Sequence, residues 1–138
     1  MGRGNTIEAV PVPAEELEPW LESIEWHLDQ FCSGGHHEPQ DIIDQIMDKE
    51  RQLWLAVDGG KVKCALLTMV AADRLKTCTV THAAGEDFRA WLHLWELIEN
   101  WARDIGCRNM KAEARPGWER PLARFGMKKT HVVLEKRL

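Results

Sequence analysis

The chain has 138 residues, of which 44% are hydrophobic and 29% charged, and its formal net charge is −4. This size and composition predict one globular domain spanning residues 1–138. The acidic balance argues against nucleic-acid binding, which needs a basic face, and no apolar run reaches membrane-spanning length. Four cysteines lie far apart in the sequence, so we expect free thiols in a cytoplasmic protein.

The first half of the chain predicts a short strand, two helices and a β-hairpin. Residues 5–12 form the strand, and apolar residues then recur at helical spacing over residues 17–31. A Ser-Gly-Gly segment ends this helix, and Pro39 begins a second, shorter one. The sequence Asp58-Gly59-Gly60-Lys61 predicts a tight turn between two strands, because glycine readily adopts the positive φ that such turns need.

The second half predicts a third strand, a long Trp-rich helix, another strand, a short helix and a last strand. The third strand ends at His82 and is expected to alternate between two faces. One face carries Thr77, Thr79 and Thr81, and the other carries Cys78, Val80 and His82. Ala83-Ala84-Gly85 forms a turn, the long helix runs from about Glu86 to Ile105, and residues 130–138 form the last strand. The order β-α-α-β-β-β-α-β-α-β predicts a mixed α/β sheet with helices on both faces.

The short helix over residues 122–127, Leu-Ala-Arg-Phe-Gly-Met, has a characteristic Gly-apolar ending. Together with the order of elements, it resembles the GNAT acyltransferase family, and the resemblance extends over nearly the whole chain. It implies a GNAT-like, mostly antiparallel sheet and acetyl-CoA as the cofactor. Four other segments are similar to small GNAT-like proteins encoded by tailed phages and prophages: Ala-Ala-Gly (83–85), Trp-Ala-Arg-Asp-Ile-Gly-Cys (101–107), Arg-Pro-Gly-Trp (115–118) and Lys-Thr-His-Val-Val-Leu-Glu-Lys (129–136).

The GNAT resemblance implies that backbone N–H groups at the start of the long helix bind the pyrophosphate of acetyl-CoA. Here that stretch keeps one glycine and places Glu86 and Asp87 in the first helical turn. Acidic residues there stabilise a helix by ~0.3–1 kcal/mol each, but they compete with a pyrophosphate for the same site. We therefore predict a degenerate cofactor site. Its candidate residues are Val80, beside a cleft between splayed strands, and Gly85, Glu86, Asp87, Phe88 and Arg89.

Acid–base chemistry is the second point at which the chain departs from the family. Many GNAT enzymes place a tyrosine four residues before the glycine of the Gly-apolar ending, where it protonates the leaving thiolate. Leu122 stands at that position and the chain has no tyrosine, which leaves Cys78, Cys64 or a water molecule as proton donor. A base is also needed to deprotonate the acceptor amine. The catalytic candidates for this step are His82, Glu113 and, third, His131.

A metal site has little support in the sequence. Cys32, His36 and His37 come nearest to a ligand pattern, but their spacing matches no common zinc module. A polar, glycine-rich loop accounts for these residues, and we predict no metal.

Two functions are consistent with the sequence. The first, which the sequence favours, is a bacteriophage-type GNAT-fold protein with a degenerate acetyl-CoA site. It would be virion-associated or an assembly component with protein partners, and a homo-oligomer is also open. Trp26 and Trp101 lie off the apolar stripes of their helices and, if exposed, suit such a contact. The second is an active N-acetyltransferase that acts on an amine of a small molecule or protein. Trp118 either covers the cofactor groove or a partner surface, or has a structural role.

Overall fold

The structure is a computed structural model that describes residues 7–72, 74–85, 88–113 and 118–138, apart from the side chains of Phe88, Arg89 and Glu119. Within these residues, the strands are β1 (Ile7–Val12), β2 (Gln52–Asp58), β3 (Lys61–Ala72), β4 (Lys76–Gly85) and β5 (Asn109–Ala112). The α-helices are α1 (Glu25–Phe31), α2 (Pro39–Met47), α3 (Phe88–Asp104) and α4 (Glu119–Ala123). Two short 3₁₀ turns, Ala14–Glu16 and Glu18–Trp20, precede α1.

The described strands form one sheet in the order β1-β2-β3-β4-β5. Neighbouring strands are antiparallel except β4 and β5, which are parallel. The Gly59-Gly60 turn joins β2 to β3 with positive φ at both glycines, as predicted. Helices cover both faces of the sheet, so the predicted mixed, mostly antiparallel α/β fold is confirmed.

Each face of the sheet has its own hydrophobic core. On the α1–α2 face, the core is built mainly from aliphatic side chains of α1, α2 and the first three strands. On the α3 face, which α4 also covers, tryptophans fill much of the volume. Trp95 is fully buried and stacks on Trp91 with ring centroids 5.5 Å apart. Trp54 of β2 packs against Trp101 at 5.1 Å on the same face.

The first predicted helix is shorter in the structure than in the sequence analysis. Of residues 17–31, only Glu25–Phe31 form a regular α-helix. Pro19 lies within the second 3₁₀ turn, and the chain reaches α1 only after a further non-helical stretch. A proline lacks the N–H that continues a helical ladder, which explains why the apolar periodicity extends further than the helix itself.

The predicted last strand is wrong. Residues 128–138 have no regular secondary structure, and the side chains of residues 128–138 are exposed. Val132, Val133 and Leu134 are 61%, 81% and 90% exposed, and three successive apolar residues cannot all face one side of a sheet. The segment instead contacts the α1–α2 loop, where Glu135 forms an ion pair with His36 at 3.0 Å.

Candidate active site

The candidate site lies where β4 changes its pairing. Leu67 of β3 pairs with His82, but Thr68 pairs with Val80, so Thr81 is an extra residue in β4, a β-bulge. On its other edge, β4 pairs with β5 only as far as Val80 and Ala112, and the Glu113 N–H donates to the Val80 carbonyl at 2.9 Å. Among the described residues, the remainder of β4 is paired on one side only. The pairing therefore ends at Val80, where the sequence analysis placed a cleft.

The bulge reverses the faces of the side chains that follow it in β4, relative to simple alternation. Val80 is buried in the core of the α3 face. His82 instead lies on the α1–α2 face, where its ring centroid is 5.7 Å from that of Phe31 and 6.0 Å from that of His37. The expectation that Val80 and His82 share a face is therefore wrong, because one inserted residue shifts the period-2 alternation.

His82 is a half-buried imidazole in a polar setting. Its Nδ1 lies 2.9 Å from the Thr81 hydroxyl oxygen. Burial, followed by the electrostatic influence of Arg51 and of His37, lowers the pKa of His82 to about 4. The ring is consequently neutral at pH 7.

Arg51 connects the two predicted catalytic residues, and the sequence analysis missed it. Its Nη1 donates to the Thr81 hydroxyl, and its Nε donates to the Gln45 side chain at 2.6 Å. Burial lowers the pKa of the Arg51 guanidinium, while the carboxylates of Glu113 and Glu50 raise it. Arg51 therefore interacts electrostatically with both His82 and the exposed Glu113. No local pattern marks this arginine, because Thr81 is 30 positions away in the chain.

The end of α2 holds Arg51 in place. The backbone carbonyl of Gln45 accepts hydrogen bonds from the N–H groups of Glu50 (2.9 Å) and Arg51 (3.2 Å). Lys49, between them and the helix, has a φ of 62°, the left-handed conformation that commonly ends a helix. Gln45 thus fixes both the backbone and the guanidinium of Arg51, so the cation has little freedom to leave Thr81.

The predicted cofactor-binding stretch is only partly visible. Gly85 is the last residue of β4 rather than part of a turn, and it pairs with Cys64. With φ 144°, a Cβ at Gly85 would lie 2.6 Å from the Lys63 carbonyl oxygen. Glycine is therefore required here by the close approach of β3. Glu86 and Asp87 lie outside the described residues.

The start of α3 follows this stretch. Phe88 and Arg89 form its first turn, and their side chains are not described. Their roles in cofactor binding stay predictions, as does that of Val80. In the sequence, the N-terminus of the 17-residue helix α3 nonetheless follows soon after the end of β4. This is the order of elements in which a helix N-terminus can bind an anionic group.

The proposed thiol donors are poorly suited to their task. Cys78 is fully buried, and burial, followed by the influence of Cys107, raises its pKa to about 12. Proton transfer from such a thiol to a thiolate of ordinary pKa, ~8.5, is uphill. Cys64 and Leu122 are also buried. A water molecule remains as the donor for a leaving thiolate.

The other candidate groups do not join the site as metal ligands. In the described part of the chain, no group of three potential ligands is close enough to hold a metal ion. His36 pairs with Glu135, and His131 lies in the exposed C-terminal segment beside Thr130. No described helix is long and apolar enough to cross a membrane.

Trp118 and Trp26 have different surroundings. Trp118 packs edge-to-face on Trp91, with centroids 5.0 Å apart, and joins the core of the α3 face. Trp26 is 49% exposed and lines a groove of about 800 Å³ between α1 and the β2–β3 turn. Lys61, Lys63 and Gly85 also line this groove. Trp26 is thus available for a contact, whereas Trp118 contributes to packing.

Comparison with known proteins identifies the fold. No protein-family model and no curated protein sequence matches the chain. Among solved structures, it is similar to the aminoglycoside N-acetyltransferase AAC(6')-Iy in complex with CoA, with a TM-score of 0.73 and 15% identity over 100% of this chain and 98% of that one. It is also similar to an aminoglycoside acetyltransferase from an uncultured soil metagenomic sample, in complex with sisomicin, with a TM-score of 0.71 and 11% identity over 97% of both chains.

A third similar structure is a ribosomal-protein-alanine N-acetyltransferase from Brucella melitensis biovar Abortus 2308. Its TM-score is 0.71 at 10% identity, over 95% of this chain and 99% of that one. Identities this low establish the fold and nothing about the reaction. The fold is that of the GNAT-like acetyltransferases, which confirms the fold class predicted from the sequence.

Proposed function

We propose that this protein is an acetyl-CoA-dependent N-acetyltransferase, the second of the two functions derived from the sequence. The observation that carries the proposal is the end of β4–β5 pairing at Val80, with the neutral imidazole of His82 two residues further along. Beyond Val80, the edge of β4 that faces away from β3 has no strand partner among the described residues. Such an edge fits an extended, amide-containing molecule that pairs with it as a strand would.

Acetyl-CoA would supply an acetyl group activated as a thioester. The acceptor amine attacks the carbonyl carbon, an N–C bond forms, the C–S bond breaks, and the thiolate takes a proton from water. The amine must also lose a proton. We assign its acceptance to Glu113, because an exposed carboxylate attracts an ammonium group and can pass the proton to solvent.

His82 is a poor proton acceptor. Protonation would place a second positive charge beside Arg51 in a half-buried setting, and both effects already lower the pKa of His82 to about 4. The anionic Glu113 would instead lose its charge on taking the proton. The arrangement therefore favours a cationic amine as the acceptor. The similar structures include N-acetyltransferases whose names refer to aminoglycosides and to ribosomal-protein alanine.

The test combines cofactor binding with turnover. Calorimetry with acetyl-CoA should show binding, and CoA release should follow with aminoglycosides or peptides bearing a free N-terminus. Glu113→Gln and His82→Leu should each lower kcat/KM by about 10²–10³-fold, since they remove groups at the reacting centre. His131→Gln, which changes an exposed histidine of the C-terminal segment, is the matched control and should keep wild-type activity.

The charge of the helix start requires its own variant. Glu86→Gln/Asp87→Asn removes the two carboxylates that compete with a pyrophosphate, and it should bind acetyl-CoA more tightly than the wild type. An absence of binding by both proteins would contradict the proposed activity. Binding by the double variant alone would show that these carboxylates close the site in the native chain.

A second candidate is a GNAT-fold protein without activity that acts through protein partners, including the virion-associated role that the phage resemblance implies. The observation in its favour is Trp26, half exposed beside an open groove. Tryptophan is enriched at binding hot spots. Sedimentation of the wild type and of Trp26→Ser tests the simplest case, self-association. A loss of a wild-type oligomer in the variant would support a contact at this groove.

A further inference from the structure

Two hydrogen-bonding groups, the Arg51 guanidinium and the Thr81 hydroxyl, lead to the imidazole at the bulge. Arg51 Nη1 donates to Thr81 Oγ1, which lies 2.9 Å from His82 Nδ1. The same hydroxyl oxygen is 3.5 Å from the backbone carbonyl of Leu67. Among the described residues, the hydrogen bond found for the His82 ring is the one at Nδ1, and the ring is only half buried. The arrangement therefore leaves one ring nitrogen engaged by protein and the other available to a ligand.

Counting donors leaves two arrangements, because an Nδ1–H could also donate to the second lone pair of the Thr81 oxygen while the hydroxyl donates to Leu67, and the distances decide between them. A guanidinium only donates, so Arg51 uses a lone pair of the Thr81 oxygen. The hydroxyl has a single hydrogen, and its two available acceptors are His82 Nδ1 at 2.9 Å and the Leu67 carbonyl at 3.5 Å. Hydroxyl hydrogen bonds normally span about 2.5–3.0 Å, so Nδ1 is the better acceptor. Donation from Arg51 also polarises the hydroxyl and strengthens its own donation.

We propose that Arg51 and Thr81 lock His82 in the tautomer that carries its proton on Nε2, and that this N–H donates a hydrogen bond to the thioester carbonyl oxygen during acetyl transfer. The catalytic half of this inference rests on the proposed acetyltransferase function; the tautomer does not. His82 is then an uncharged donor rather than the base. The negative charge that develops on the carbonyl oxygen as the amine attacks is what such a donor stabilises.

The electrostatic surroundings support a permanently neutral ring. Burial and the charges of Arg51 and His37 oppose protonation of His82, and Glu113 acts on the same network through Arg51. Protonation would also require Nδ1 to give up the hydrogen bond from Thr81. A neutral imidazole held beside positive charge can act as an electrophile across the physiological pH range.

The tautomer is measured directly by long-range ¹H–¹⁵N correlation of the histidine rings, with His82 assigned from its loss in His82→Gln. The expected wild-type pattern has a protonated Nε2 and an unprotonated Nδ1. Thr81→Ser keeps the hydroxyl and should keep this pattern, whereas Thr81→Val removes it and should give a mixture of tautomers. A wild-type ring protonated on Nδ1 would overturn the inference and leave the proposed acetyltransferase function standing.

The donor role is tested by two substitutions of His82 in the acetylation assay. Gln places an amide N–H near the position of Nε2 but cannot act as a base, whereas Leu provides neither group. We expect His82→Gln to keep kcat within about 10-fold of the wild type, and His82→Leu to lose about 10²–10³-fold, the usual effect of removing one such donor. Equal losses in the two variants would overturn the donor role. An Nε2–H tautomer without acetyl transfer to any amine would overturn it together with the proposed function.

Discussion

The two faces of the sheet use polar groups in different ways. On the α3 face, the buried Thr68 hydroxyl accepts a hydrogen bond from Trp54 Nε1 at 2.9 Å and donates to Gln52 at 2.7 Å, so it is fully engaged within the protein. On the α1–α2 face, the hydrogen-bonded series from Arg51 ends at His82 with one ring nitrogen available. The polar groups on the first face are satisfied by one another, whereas those on the second lead to a half-buried ring.

The largest effect is expected on the α3 face. Trp95→Ala should lower the free energy of unfolding by about 3–5 kcal/mol, because Trp95 is fully buried and stacks on Trp91. Denaturant unfolding measures this loss. Trp26→Ala, at a half-exposed tryptophan, is the control and should change stability far less. Similar losses of stability at both positions would contradict the expectation that burial of Trp95 in the core of the α3 face causes the larger effect.

The next effect concerns Gly85, the last residue of β4. Gly85→Ala should cost about 2–4 kcal/mol, because its Cβ would lie 2.6 Å from the Lys63 carbonyl oxygen and φ is 144°. Gly60→Ala is a matched control with φ 82° and no atom within 4 Å of the new Cβ. This control variant should lose only about 1 kcal/mol of stability, the cost of a positive φ in a residue with a Cβ, because no steric clash is added. If thermal unfolding shows equal losses, the close approach of β3 does not determine the residue at position 85.

A pH dependence should originate on the α1–α2 face. The unfolded chain binds a proton at His82 near pH 6.5, but the folded protein does so only near pH 4. The unfolded state thus binds more protons in this window, and stability falls as the pH falls from about 6.5 to 4, by up to about 1–3 kcal/mol. His82→Gln should flatten the profile, whereas His131→Gln should not. Urea titrations at several pH values measure this dependence. If stability changes with pH as steeply in His82→Gln as in the wild type, the assignment to His82 is contradicted.

The smallest effect tests whether the polar group on the α3 face is purely structural. Thr68→Val leaves the buried Trp54 indole N–H without its acceptor and should cost about 1–2 kcal/mol. Thr68→Ser retains the hydroxyl and should recover most of that loss. Neither variant should alter the His82 ring nitrogens in the NMR experiment. A shifted His82 tautomer in Thr68→Val would show that the two faces are coupled through β3.

Much of the fold was predictable because its signals are local. The Gly59-Gly60 turn follows from glycine backbone freedom, and the burial of Trp91 and Trp95 follows from helical periodicity. The last strand was wrong because a strand also needs a partner edge, which its own sequence does not provide. Alternating residue types in the C-terminal segment were therefore insufficient evidence.

The candidate site was less predictable than the fold. His82 and Glu113 were selected by residue type and position, but the bulge at Thr81 depends on the register with β3 and has no signature of its own. The role of Arg51 depends on a contact across 30 positions and on the end of α2. Sequence reasoning consequently selected candidate residues by type, and the contacts that surround them became visible only in the structure.

The bulge at Thr81 also determines how β4 responds to a change of length. Deletion of Thr81 would make Val80 and His82 consecutive, and because neighbouring residues of a strand face opposite sides, Val80 would stay in the tryptophan core and His82 on the α1–α2 face. What the deletion would remove is the hydroxyl between Arg51 and His82. The extra residue is thus dispensable for the alternation of the strand, and its side chain is the part that the shortened strand would lack.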